Sequence, residues 1–158
     1  MNDIQRILCP VDFSETSDKA FAAADGLAHR LGAELVLLHA FEYPEQLTVA
    51  AQERPLDPAL KPKLEGIKSS FPNQKVEHVL HAGPPGEVIC WIGQSRNCDL
   101  IVMGTHGRTG LMHLLMGSVA EYVVQHARSP VLTVRNRPAD EPPLKEPLVL
   151  PVPPPRFM

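Results

Sequence analysis

The sequence predicts an α/β fold, a three-layer open sandwich in which a five-stranded parallel sheet has helices on both faces. Short apolar runs alternate along the chain with segments of helical periodicity, in the order β-α-β-α-β-α-β-α-β. This alternation is typical of a parallel sheet covered by helices. The first run is almost continuously apolar rather than alternating, which indicates a strand buried on both faces.

The first two strands are predicted on either side of a long helix. Residues 4–11 form the first strand, and Ser14 follows as a candidate helix N-cap. Apolar residues then recur at helical spacing up to Leu31, and Gly32 suits the position just after a helix. Residues 35–41 are the second buried strand.

The segment after the second strand is less regular. Residues 42–58 contain three prolines and are predicted to form a loop. Leu60, Leu64, Ile67 and Phe71 fit one helical stripe, but Pro62 and Gly66 interrupt it. We therefore expect a short or late-starting helix with Pro62 in its first turn.

The second half of the chain repeats the alternation. Residues 76–80 are the third strand, near an edge of the sheet, and Trp91 and Tyr122 belong to helical patterns in which we expect them to pack. The remaining predicted elements are a turn at 83–86, a helix ending near Asn97, a strand at 100–103, a glycine-containing loop, a helix from Ser118 to just before Ser129, and a strand at 131–134.

The composition predicts a domain boundary near residue 137. Residues 1–137 have the ordinary composition of one globular domain, whereas eight of the 21 residues from 138 to 158 are proline. Such a density excludes helices and central strands, so the tail is expected to be disordered or polyproline II. Its Pro151 and Pro154 have P-x-x-P spacing, which leaves a protein partner as an alternative to a plain tail.

Charge and cysteine content narrow the function classes. The net charge of −3 argues against a nucleic-acid binder. No apolar run is long enough to span a membrane, and the N-terminus does not resemble a secretory leader, so we expect a cytoplasmic protein. The three cysteines, Cys9, Cys90 and Cys98, have no C-x-x-C spacing, which fits reduced thiols.

A glycine loop follows the fourth strand. Its spacing is Gly104-x2-Gly107-x9-Gly117-Ser118, without the lysine of a Walker A motif and without G-x-G-x-x-G. Glycines let backbone N–H groups approach an anion, and the start of the next helix adds further donors. Ser118 is also a candidate N-cap of that helix. Ligands of parallel sheets lie beyond the carboxyl ends of the strands, which predicts a site near Asp12, Ala40 and Gly104.

Two loop residues invite a catalytic interpretation. Arg108 has the geometry to pair with a phosphate, and His106 is a candidate base, although a solvated loop histidine is the simpler interpretation. The other histidines, His39 among them, show no metal-ligand spacing.

The combination of motifs resembles the ATP-binding subclass of the universal stress protein family. The resemblance covers residues 3–136 and includes Pro-Val-Asp-Phe-Ser at 10–14, Asp-Leu-Ile-Val-Met-Gly at 99–104 and Ser-Pro-Val-Leu-Thr-Val at 129–134, together with the glycine spacing. It implies the strand order 3-2-1-4-5, which places Asp12 and Gly104 on one crevice. It also implies a homodimer formed through the last strand.

The resemblance implies a site for ATP, or for ADP or AMP, with Mg²⁺ or Mn²⁺ carried by the phosphates. Asp12 would meet the nucleoside, and Gly117, the Ser118 hydroxyl and backbone, and Val119 would meet the phosphate chain. The remaining implied contacts are Pro10, Val11 and Ala40 near the adenine, Gly104, Gly107 and Arg108 near the ribose and phosphates, and Met103.

Three functions compete on this site. The first is a nucleotide-loaded regulatory module of the stress response. The second is a slow ATPase or nucleotide hydrolase in the same crevice; no Walker lysine or paired base and nucleophile supports an efficient enzyme. The third is a nucleotide-free interaction module, which would have no use for the glycine spacing.

Overall fold

In the computed structural model, which describes residues 3–42, 56–106, 116–137 and 139–148, five strands form one sheet. All neighbouring strands are parallel, and their order is β3-β2-β1-β4-β5. The predicted fold class and strand order are therefore confirmed. The strands are β1 (Arg6–Pro10), β2 (Glu34–Phe41), β3 (Val76–Ala82), β4 (Leu100–Gly104) and β5 (Val131–Val134).

Helices cover both faces of the sheet. The helices of the described residues are α1 (Glu15–Leu31), α2 (Leu60–Glu65), α3 (Pro85–Ser95) and α4 (Ser118–His126). Alternate strand residues enter two separate apolar clusters. Ile7 and Leu35 pack with Ala24 of α1 and Leu64 of α2, whereas Leu8 packs in the cluster that holds side chains of α3 and α4. Each cluster lies between the sheet and the helices on one of its faces, which gives the predicted three layers.

The ends of α1 lie where the sequence predicts them. The Ser14 hydroxyl accepts the N–H of Ser17 at 3.2 Å and caps the helix. Gly32 ends it with φ 67°, in the left-handed region that favours glycine. Both predictions are confirmed.

Helix α2 is short, as expected, and has Pro62 in its first turn. Leu64 is buried, but Ile67 and Phe71 lie beyond the end of the helix, so the longer stripe is not one helix. The helix ends before Gly66, and the chain beyond it is held by the buried carboxylate of Asp25. This carboxylate accepts hydrogen bonds from the Ser69 hydroxyl and from the backbone N–H of Ser70, which ties this segment to α1 in a non-helical path.

Helices α3 and α4 meet at a glycine. A Cβ at Gly86 would lie 2.7 Å from the Tyr122 ring, so the close contact of the two helices requires glycine there. Tyr122 thus packs as predicted. The prediction for Trp91 is wrong: 56% of its surface is exposed, and its ring lies against His81 with centroids 5.1 Å apart.

The C-terminal segment from 139 to 148 contains no helix or strand. Glu141 pairs with Arg135 and Arg137, while Leu144 and Leu148 are exposed. The P-x-x-P residues Pro151 and Pro154 lie outside the described residues. No helix in the described part of the chain is long and apolar enough to cross a membrane.

Candidate functional site

A cleft of about 300 Å³ opens at the carboxyl ends of β1 and β4. These strands are neighbours, yet α1 follows β1 on one face of the sheet and α4 follows β4 on the other. The connections therefore diverge and leave a crevice between the two strand ends, where open α/β sheets bind ligands.

Nine of the eleven residues proposed from the sequence line this cleft, and the other two, Gly107 and Arg108, lie outside the described residues. The structure thus gathers residues that are more than 100 positions apart in the chain. Those lining the cleft are Pro10, Val11, Asp12, Ala40, Met103, Gly104, Gly117, Ser118 and Val119.

Asp12 stands in a tight turn where the chain leaves the sheet. The N–H of Val11 still bonds to the Leu38 carbonyl of β2, at 2.8 Å, and the Asp12 carboxylate accepts the N–H of Ser14 at 3.0 Å. Between them, Phe13 has φ 63°, which is uncommon for a bulky side chain and costs on the order of 1 kcal/mol or more. The turn holds Asp12 at the cleft wall.

Gly104 has a packing role that the sequence does not reveal. A Cβ at this position would lie 2.7 Å from the Thr16 Cγ2 and 3.3 Å from the Thr16 backbone. Thr16 is buried in the first turn of α1. Glycine at 104 therefore lets α1 approach β4 closely, whether or not a ligand is present.

The N-terminus of α4 faces the cleft. Gly117, rather than Ser118, is the N-cap residue, so the prediction of a Ser118 cap is wrong; Ser118 is the first helical residue. The N–H of Gly117 donates to the Thr105 carbonyl at 2.6 Å, which fixes the start of the helix beside β4. The N–H of Glu121 makes the first helical bond, to the Gly117 carbonyl at 3.0 Å.

The N–H groups of residues 118–120 therefore have no acceptor within the helix. Among the described residues no side chain caps this helix, in contrast to the Ser14 cap of α1. Backbone donors at a helix N-terminus, together with the helix dipole, favour an anion.

Five lining residues were not proposed as binding residues from the sequence. Pro85 and Ile89 belong to the first turns of α3, and Ala120 belongs to α4. Thr105 is buried, and its hydroxyl lies 3.0 Å from His106 Nδ1. His106 is half-buried in the cleft wall rather than a solvated loop residue, which corrects the expectation from the sequence. Of these five residues, only Thr105 and His106 had a signal in the sequence, namely their position directly after a predicted strand.

A larger open groove of about 1070 Å³ lies at the opposite end of the sheet. Four of its charged groups are bound to one another or to the backbone. Arg6 and Lys75 both pair with Glu34, and the Asp99 carboxylate accepts the N–H groups of Gln5 and Arg6 at 2.9 and 3.0 Å. The hydrogen bond from Arg6 is the main cause that lowers the Glu34 pKa. These groups hold the strand ends together, so the smaller cleft is the better candidate site.

The described residues contain no group of three or more side chains suited to a metal ion. Burial raises the pKa of the Cys98 thiol to about 11 and also raises the pKa of Cys9. These two thiols are therefore protonated at neutral pH and are poor nucleophiles.

The family model described as the universal stress protein family matches residues 3–135. Universal stress protein MJ0577 of Methanocaldococcus jannaschii is 30% identical over 155 residues, which cover 84% of this chain and 96% of that protein. Universal stress protein Rv2623 of Mycobacterium tuberculosis is 33% identical over 136 residues, but these amount to 45% of its length.

The solved structures agree with the sequence relatives. The structure of MJ0577 superposes with a TM-score of 0.76 at 33% identity and covers 87% of this chain and all of that one. Universal stress protein UspA from Lactobacillus plantarum gives a TM-score of 0.67 at 25% identity and covers 85% of this chain. With its strand order, its cleft and these relatives, the chain belongs to the universal stress protein family.

Proposed function

We propose that this chain binds an adenine nucleotide, ATP above ADP or AMP, in the cleft between β1 and β4. One observation carries the proposal: Asp12 and the N-terminus of α4 line the same cleft. A carboxylate accepts hydroxyl protons of a ribose, and unbonded backbone N–H groups bind phosphate oxygens. The cleft therefore has one end suited to a nucleoside and one end suited to a phosphate chain.

The other lining residues fit the two ends. The adenine would lie against Pro10, Val11 and Ala40, with the apolar side chains of Met103 and Ile89 on the same cleft. The phosphates would meet residues 117–119, with Gly104 beside the ribose. Gly107 and Arg108 remain predicted contacts outside the described residues. A Mg²⁺ or Mn²⁺ ion would arrive with the phosphates, which supply oxygen ligands.

Proteins of the same fold have been solved with adenine nucleotides. One universal stress protein, 22% identical with a TM-score of 0.57, was crystallised in complex with cAMP. The universal stress protein from Archaeoglobus fulgidus, 19% identical with a TM-score of 0.58, was solved in complex with dAMP. At these identities the likeness concerns the fold, and it supports the proposal by showing what this architecture accommodates.

The proposed role is regulatory: nucleotide occupancy would change the conformation or the partners of a cytoplasmic stress protein. Slow hydrolysis in the same cleft is the alternative, and His106 is the residue that would be tested for it. Efficient phosphoryl transfer needs a positioned base as well as charge stabilisation. The Asp12 carboxylate is a weaker candidate for that base, because it already accepts the Ser14 N–H.

The test begins with the purified protein. It is denatured, and the released small molecules are separated and identified. The proposal predicts ATP, ADP or AMP in a near-stoichiometric amount, or saturable binding of added ATP with Mg²⁺ together with thermal stabilisation. If no nucleotide is released and no binding is detected at millimolar ATP, the proposal is refuted. Rapid conversion of bound ATP to ADP would favour the enzyme over the regulatory module.

We also propose a homodimer formed through β5. This strand bonds to β4 on one side and forms an edge of the sheet of the described residues, and Leu132 on it is 42% exposed. Exposed apolar edge strands are commonly covered by a partner. Light scattering at micromolar concentration should give twice the 17.4 kDa chain mass; a monomer mass would refute the proposal. A protein partner for the proline-rich tail stays a prediction.

A further inference from the structure

His39 lies behind the cleft and contacts the residues on both sides of Asp12. It is a β2 residue, 7% exposed, next to Ala40 of the cleft wall. Its own side chain is not part of the cleft lining. A buried imidazole in this position acts on a ligand only through the residues that it holds.

The first contact is with Val11, the residue before Asp12. His39 Nδ1 lies 2.8 Å from the Val11 carbonyl oxygen. A carbonyl oxygen only accepts hydrogen bonds, so Nδ1 carries the hydrogen and donates it. The N–H of Val11 donates to the carbonyl of Leu38, which lies on β2 like His39. Both backbone groups of Val11 are thus fixed to β2.

The second contact is with Phe13, the residue after Asp12. The Phe13 and His39 rings have centroids 4.6 Å apart and an interplanar angle of 42°. Lys63 of α2 places its Nζ 4.3 Å from the centroid of the same Phe13 ring. Contacts from β2 and α2 therefore hold Phe13 in its positive-φ conformation, which would otherwise be unfavourable.

We propose that His39 is a positioning residue, which holds Val11 and Phe13 so that the carboxylate of Asp12 is oriented toward the nucleoside. The inference deepens the proposed nucleotide site and rests on it. Removal of the Nδ1 donor leaves the Val11 carbonyl without this partner and frees the turn to shift. Because Asp12 is flanked by the two held residues, its orientation changes first.

The variants separate the donor from the ring. His39→Leu removes the donor and keeps an apolar side chain, whereas His39→Asn retains an N–H donor close to the position of Nδ1. His78→Leu is the matched control, because His78 is a β3 histidine whose Nε2 lies 2.9 Å from the Ile67 carbonyl, away from the cleft lining. Calorimetry with ATP and with adenosine gives Kd for each variant.

We expect His39→Leu to weaken both ligands about tenfold, as the loss of one buried hydrogen bond implies. His39→Asn should recover most of the affinity, and His78→Leu should change it less than twofold. If His39→Leu does not fold, His39→Gln replaces it. The amide nitrogen of glutamine matches Nε2 rather than Nδ1, so the His39→Gln variant should bind both ligands weakly while His39→Asn binds them well.

A double-mutant cycle with Asp12→Ala excludes a merely structural role. If His39 acts through Asp12, His39→Leu should cost less than twofold in the Asp12→Ala background. An equal loss in both backgrounds, or equal Kd values for His39→Leu and wild type, would overturn the inference while nucleotide binding by wild type stands. Absence of binding by wild type would overturn the nucleotide site and this inference together.

Discussion

The substitution Gly104→Ala tests the close approach of α1 to β4 at the cleft. The added Cβ would lie 2.7 Å from Thr16 Cγ2, about 1 Å inside the optimal carbon–carbon separation of roughly 3.5–4.0 Å. Two further contacts at 3.3 Å are to the Thr16 backbone, which cannot rotate away. Overpacking of this kind costs about 1–3 kcal/mol, and the backbone contacts place the expected loss near the upper end.

Urea unfolding followed by circular dichroism measures this loss. With a slope of about 2 kcal/mol per molar urea, a loss of about 3 kcal/mol lowers the midpoint by roughly 1.5 M. Thr16→Ser removes the Cγ2 methyl group and should recover part of the loss in the double variant, the remainder reflecting the backbone contacts.

Gly93→Ala is the matched control for a buried glycine. Its added Cβ would meet its nearest neighbours, Ile101 and Leu8, at 3.5 and 3.6 Å, which is ordinary contact. Since Gly93 lies within α3, alanine should stabilise the protein by about 0.5–1 kcal/mol. Equal midpoints for Gly104→Ala and wild type, or the same loss for both glycine variants, would refute the packing argument.

Three further predictions use other parts of the structure. Gly117→Val should weaken ATP binding well over tenfold in calorimetry while the circular dichroism spectrum stays unchanged, because a branched side chain beside the α4 N-terminus blocks the phosphates; unchanged affinity would contradict the site. Asp25→Ala should lower the free energy of unfolding by about 2–3 kcal/mol, because the Ser69 hydroxyl and Ser70 N–H lose their buried acceptor; a urea midpoint equal to wild type would refute this. The Glu34 pKa is lowered in the folded state, chiefly by the Arg6 hydrogen bond, so its stabilisation is present above the ordinary carboxyl pKa and is lost as the pH falls through the folded value. The Glu34→Gln variant should thus be less stable than wild type at pH 7 and equal to it near pH 2 in urea titrations; a difference that persists in acid would point to packing instead.

The fold could be predicted from the sequence because its signals are local. Continuous apolar runs marked the strands, and the Ser14 cap and Gly32 terminus marked α1. The strand order was different: it came from the resemblance to the family, since periodicity alone does not order parallel strands. Gly66 signalled the early end of α2, but the path of the chain beyond it depends on Asp25, about 45 residues away, and no local signal shows that contact.

The part of the site that could be predicted from the sequence also has local signals. Asp12 and the glycines follow strands directly, and the carboxyl ends of parallel strands share one edge. Pro85 and Ile89 reach the cleft only because α3 crosses the sheet, and the Thr16 contact that requires Gly104 depends on how α1 packs. His39 was dismissed because it lacks metal-ligand spacing, yet its importance here lies in its contacts with Val11 and Phe13.

The nucleotide site is tested most directly by a crystal structure of the protein with ATP and Mg²⁺. The account predicts a ribose hydroxyl within hydrogen-bond distance of the Asp12 carboxylate and phosphate oxygens on the backbone N–H groups of residues 118–120. A nucleotide bound in the opposite groove near Arg6 and Lys75, or bound in the cleft without contact to Asp12 and the start of α4, would contradict it.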